Sequence, residues 1–65
     1  MYEIIIRKNI DKTYDKIFKI IDKHSFFPVS TENEYWTEEG YVLEFKNIPP
    51  EAILEISELK EVEEI

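Results

Sequence analysis

A chain of 65 residues with 15 carboxylates against eight Lys and Arg carries a net charge of −7, and it contains no cysteine and a single glycine. That length allows one domain (1–65) with a small core, because a chain near 60 residues buries only about 60% of the surface it exposes when unfolded. Without cysteine there are no disulfides or thiolate metal centres, and 43% apolar content is too high for a disordered acidic tail.

The longest apolar run is Ile4 to Ile6, far short of the roughly 20 residues that span a bilayer, so a soluble, cytoplasmic protein is expected. The charge is unevenly spread. Residues 1–31 sum to +2 (six basic minus four acidic) and residues 32–65 to −9 (two basic minus eleven acidic).

Tyr2 to Lys8 reads as a strand, with Tyr2, Ile4 and Ile6 on one face and Glu3, Ile5 and Arg7 on the other. Asn9 or Asp11 then caps a helix whose Ile10, Tyr14, Ile17, Phe18 and Ile21 form one apolar stripe at 3.6 residues per turn. Lys12, Lys16, Lys19 and Lys23 lie opposite, interleaved with Asp11, Asp15 and Asp22. Pro28 bars continuation, which places the helix end near His24 to Phe26.

Val29 to Ile48 reads as a hairpin around a type I turn, Thr37-Glu38-Glu39-Gly40, with the glycine where positive φ is needed. Pairing Thr37 with Tyr41 sets Tyr35 against Leu43 and Trp36 against Val42 on the reverse side. A slip of one residue exchanges these faces and turns Trp36 toward the helices; both placements stay open. Pro49-Pro50 starts a second helix contacting the core through Ile53, Ile56 and Leu59. A final strand from Glu61 to Ile65 is preferred over a continuous helix, since apolar residues every third position drift about 60° per step around a helix.

Strand, helix, strand, strand, helix, strand is the order of the ferredoxin-like α+β arrangement, an antiparallel sheet with both helices on one face. The ending Leu-Lys-Glu-Val-Glu-Glu-Ile looks like that of small ferredoxin-like regulatory and metal-carrier domains. Carriers of this shape hold a Cys-x-x-Cys loop after the first strand, and here that loop is Lys8-Asn9-Ile10-Asp11.

No catalytic residue, cofactor or metal ligand set is expected. His24 and Ser25 are adjacent, and neighbouring helical residues point about 100° apart. Glu38 and Glu39, even with Glu32 and Glu34, lack the converging oxygen ligands that Ca²⁺ or Mg²⁺ requires. A nucleic acid would be repelled by the ring of Glu3, Glu34 and Glu44 around the preferred open face. On that face Ile5, Val42 and Trp36 would form an exposed apolar strip, and Trp commonly anchors interfaces.

The expectation is a small non-enzymatic acidic binding protein that docks on a basic surface of a partner protein. Its most specific form is a viral, anti-CRISPR-like inhibitor that imitates the phosphate ladder of a nucleic acid. The residues expected to bind the partner are Glu32, Glu34, Trp36, Glu38, Glu39, Val42, Glu44, Glu51, Glu55 and Glu58. The alternative is a self-associating regulatory or structural domain, a homodimer built on the open sheet face.

Overall fold

Three consecutive isoleucines close one of the two central strands of the sheet. In the computed structural model, which describes residues 2–64 and side chains through Val62, β1 (Tyr2–Ile6) pairs antiparallel on both sides. The other elements are α1 (Ile10–His24), β2 (Asn33–Trp36), β3 (Tyr41–Phe45), α2 (Pro50–Ser57) and β4 (Val62–Glu64), and the four strands lie in the order β2-β3-β1-β4. The protein is thus a small α+β domain with an antiparallel sheet.

Alternation along β1 and β3 divides the apolar residues between two faces. Ile4 opposes Leu43 and Tyr2 opposes Phe45; Ile4, Ile6, Leu43 and Phe45 are buried with Ile17 and Ile21 of α1 and Ala52 and Ile56 of α2. Both helices therefore pack on this face. Removing such side chains from water contributes about 1.5–3 kcal/mol each, which is how so short a chain sustains a core.

The α1 stripe lies where the periodicity puts it, with Ile17 and Ile21 buried and Ile10, Tyr14 and Phe18 against the core. Thr13 joins it, buried because its hydroxyl donates to the Lys8 carbonyl at 3.2 Å. Asn9 occupies the N-cap position in a left-handed conformation (φ 50°) without a side-chain cap bond, a geometry Asn tolerates better than most residues. The helix ends at His24, within the expected range. α2 begins at Pro50 and stops at Ser57, two residues short of Leu59, the last of its expected core contacts, and the final strand is present as β4 opposite β1; Ile65 lies outside the described residues.

The hairpin register corrects the preferred pairing by one residue. Trp36 opposes Tyr41 and Tyr35 opposes Val42, so Trp36 and Glu34 are on the helix side and Tyr35 is on the second face. The cause is the turn: Thr37 pairs with Gly40, not Tyr41, their backbones exchanging bonds of 2.8 and 3.3 Å around a two-residue tip, Glu38-Glu39. The Thr37 hydroxyl also donates to the Gly40 carbonyl and accepts from the Glu39 N–H.

The same register removes the expected exposed strip. Ile5 and Val42 share the second face but are only 5% and 2% exposed, and Trp36 is on the opposite side of the sheet. Among the described residues, no helix is long and apolar enough to cross a membrane.

Candidate functional site

Two concave surfaces flank the hairpin, one on each side of the sheet. On the second face, Ile5 and Val42 floor a hollow of about 400 Å³ whose walls include Tyr35, Glu3 and the tip residues Glu38 and Glu39. None of the described residues lining it is Lys or Arg. Glu44 stands directly opposite Glu3 across β1 and β3, and the Tyr35 hydroxyl donates to it at 2.9 Å. That bond, then burial, then the Glu44 and Glu3 charges push the Tyr35 phenol up.

On the helix side, a cleft of about 380 Å³ opens between the start of α1 and the hairpin, lined by Ile10, Asp11, Tyr14, Glu34, Trp36 and Tyr41. Glu34 is the polar centre. Its Oε2 accepts from the Tyr14 and Thr31 hydroxyls, each at 2.8 Å, and its Oε1 from the Tyr41 hydroxyl at 2.8 Å. Burial by itself raises the Glu34 pKa, but these three donors outweigh it, so the group stays below the usual carboxylate range and is charged at neutral pH. Trp36 is 68% exposed and meets Tyr41 edge-on with ring centroids 4.9 Å apart; Tyr14 lies 6.5 Å from Tyr41.

Tyr14 carries a testable consequence. Burial, followed by its bond to Glu34 and the nearby negative charge, raises its pKa to about 12. A phenol whose folded pKa lies above its unfolded value near 10 contributes stability that is complete below pH 10 and is lost as the pH rises through about 12. Phenolate absorbance should therefore show a last tyrosine step near pH 12 that is absent in Tyr14→Phe. The variant should be less stable by about 1 kcal/mol at neutral pH, the worth of one hydrogen bond.

The expected partner-binding residues do not form one surface. Glu38, Glu39 and Glu44 join Glu3 around the second-face hollow, with Val42 buried as its floor; Glu34 and Trp36 belong to the cleft on the other side. Glu32 is exposed just before β2, its backbone N–H donating to the Glu44 carbonyl. Glu51 and Glu58 are exposed at the two ends of α2.

Glu55 is tied to α1, accepting from His24 Nε2 at 2.7 Å and Lys23 Nζ at 3.0 Å; the His24 bond first, then that of Lys23, holds its carboxyl below the usual range against the opposing effect of burial. Ser25 is engaged with the backbone of Phe27. Tyr14, Thr31, Tyr35 and Tyr41 are not among the expected site residues; the strand register brings the three phenols to the carboxylates, and Thr31 reaches Glu34 from three residues away. Among the described residues, no group of three or more His, Cys, Asp or Glu is arranged to hold a metal ion. No protein-family model matches the chain, and no curated protein or solved structure is significantly similar to it.

Proposed function

We propose that this protein is a non-enzymatic binding module whose hairpin and second sheet face dock on a basic surface of a partner protein. The observation that carries this reading is the hollow walled by Glu3, Glu38 and Glu39, with Glu44 beside it and no basic side chain among its described lining. Concentrated negative charge on a concave surface makes the local potential more negative and steers cationic partners into contact. Tyr35 supplies the rigid, amphipathic ring that interfaces favour.

In its finer form the partner surface is one that otherwise holds a nucleic acid backbone, and the protein acts as an inhibitor by occupying it, in the manner of anti-CRISPR proteins. The net charge of −7 and its concentration after residue 31 support this form. The strand order β2-β3-β1-β4, with both helices on one face, supports the finer ferredoxin-like assignment of the fold. The alternative, a homodimer through an apolar sheet face, receives less support, because Ile5 and Val42 are already buried and β4 covers the edge of β1.

Affinity for a partner captured at low ionic strength should fall steeply as salt is added, because exposed charge pairs separated by more than about 10 Å are screened at 0.1 M. The quadruple variant Glu3→Gln/Glu38→Gln/Glu39→Gln/Glu44→Gln should lose the partner while keeping the wild-type circular dichroism spectrum. A partner held equally at low and high salt, or equally by the neutralised variant, overturns the electrostatic reading.

A further inference from the structure

The second concave surface has chemistry of its own. The geometry points to the cleft between α1 and the hairpin as a receptor for one arginine side chain of the partner protein, stacked on Trp36 and Tyr41 and paired with Glu34 and Asp11. This rests on the docking reading for the source of the arginine, but the cleft argues for the guanidinium independently.

Three aromatic rings and two carboxylates line the cleft, and none of the described residues that line it is basic. Aromatic faces attract cations, most strongly when the cation leaves water. Trp36 is 68% exposed on the helix side of the sheet and meets Tyr41 with ring centroids 4.9 Å apart, so most of the indole is available to a ligand. Glu34 is held ionised by its three hydroxyl donors, and these do not exhaust it. Oε2 accepts two bonds and Oε1 one, which leaves Oε1 capacity for a further donor. Asp11, exposed in the first turn of α1, supplies a second carboxylate at the rim.

A cleft of about 380 Å³ is near the small end of ligand sites, which run from about 300 to 1,000 Å³, and suits one side-chain head group. Guanidinium fits better than ammonium for two reasons. It is planar, so it stacks on an indole, and it is weakly hydrated with several donors in one plane, so it can bond Glu34 and Asp11 together.

Trp36 is the sole tryptophan, so its fluorescence reports on the cleft without labelling. Titration with N-acetyl-arginine amide should give a saturable change with a dissociation constant on the order of millimolar, as befits a single side chain. N-acetyl-lysine amide should bind at least several-fold more weakly, and neutral N-acetyl-glutamine amide should give no saturable change. Asp11→Asn and Glu34→Gln, each first checked for a wild-type circular dichroism spectrum, should weaken arginine amide by about tenfold. Asp11 is exposed, so its replacement keeps the test usable if the Glu34 variant fails to fold.

Glu38→Gln/Glu39→Gln should leave the titration unchanged while weakening partner capture, which separates this site from the second-face surface. A linear response to arginine amide, an equal response to lysine or glutamine amide, or no loss in Asp11→Asn overturns the proposal. A saturable, carboxylate-dependent arginine signal alongside salt-insensitive partner capture would instead leave the cleft standing and remove the docking reading.

Discussion

Phe45→Ala should leave the protein largely unfolded at physiological temperature. Phe45 is fully buried at the end of β3, opposite Tyr2, and its ring meets Phe18 of α1 with centroids 5.8 Å apart. It therefore joins sheet to helix at the centre of a core that no disulfide reinforces. Truncating a buried phenylalanine costs about 3–5 kcal/mol, from lost transfer energy and the cavity left behind. A domain of this size has roughly 3–10 kcal/mol of stability in total, so the loss is comparable to the whole. Urea denaturation measures it directly. Phe26→Ala is the matched control: Phe26 is 99% exposed, and its removal should shift stability by less than about 0.5 kcal/mol. Similar losses for the two variants would overturn this account of the core.

Gly40→Ala is expected to be nearly as damaging, for a different reason. Gly40 has φ 152° and sits against β1, where a Cβ would collide with the carbonyl oxygen of Ile6. Backbone, unlike the end of a flexible side chain, cannot step aside without pulling β1 from β3 or β4. Unfavourable φ for an L residue adds about 1–3 kcal/mol, so the combined cost should be about 3 kcal/mol or more, with the hairpin tip and central pairing disturbed together. Amide hydrogen exchange would locate the damage at Ile6, Thr37 and Tyr41 before the rest of the sheet. Alanine tolerated here at under about 1 kcal/mol would mean that the contact with β1 is not held.

How much of this was legible beforehand follows from the range of the interactions involved. The stripe of Ile10, Tyr14, Ile17, Phe18 and Ile21 is a local signal, fixed by 3.6-residue periodicity, and α1 lies where it was expected. Thr13 fell outside that stripe because its hydroxyl conceals the fact that Lys8 satisfies it. The hairpin register was not legible, because Tyr35 and Trp36 are adjacent aromatics and alternation favours neither for the core side. The two placements differ only in whether Gly40 closes the turn or lies within it, and contact with Ile6, 34 positions away in the chain, belongs to neither local pattern. The cleft depends on the same decision. A glutamate at position 34 is acceptable on the helix side because hydroxyls arrive from Tyr14, Thr31 and Tyr41, and the two phenols, from α1 and β3, leave no spacing signature.

On the docking proposal, the facing pair Glu3 and Glu44 would bind folding and recognition into a single thermodynamic cycle. Like charges directly opposite on neighbouring strands weaken a sheet by mutual repulsion, and Glu3 and Glu44 face each other across its two central strands. A cationic partner that relieves this repulsion is bound more tightly for it and, by linkage, stiffens the sheet it binds. If the docking proposal holds, substitutions that quiet the pair should make a sturdier domain and a poorer ligand. At this one rung of the ladder, stability and affinity would then be opposing demands on the same two side chains.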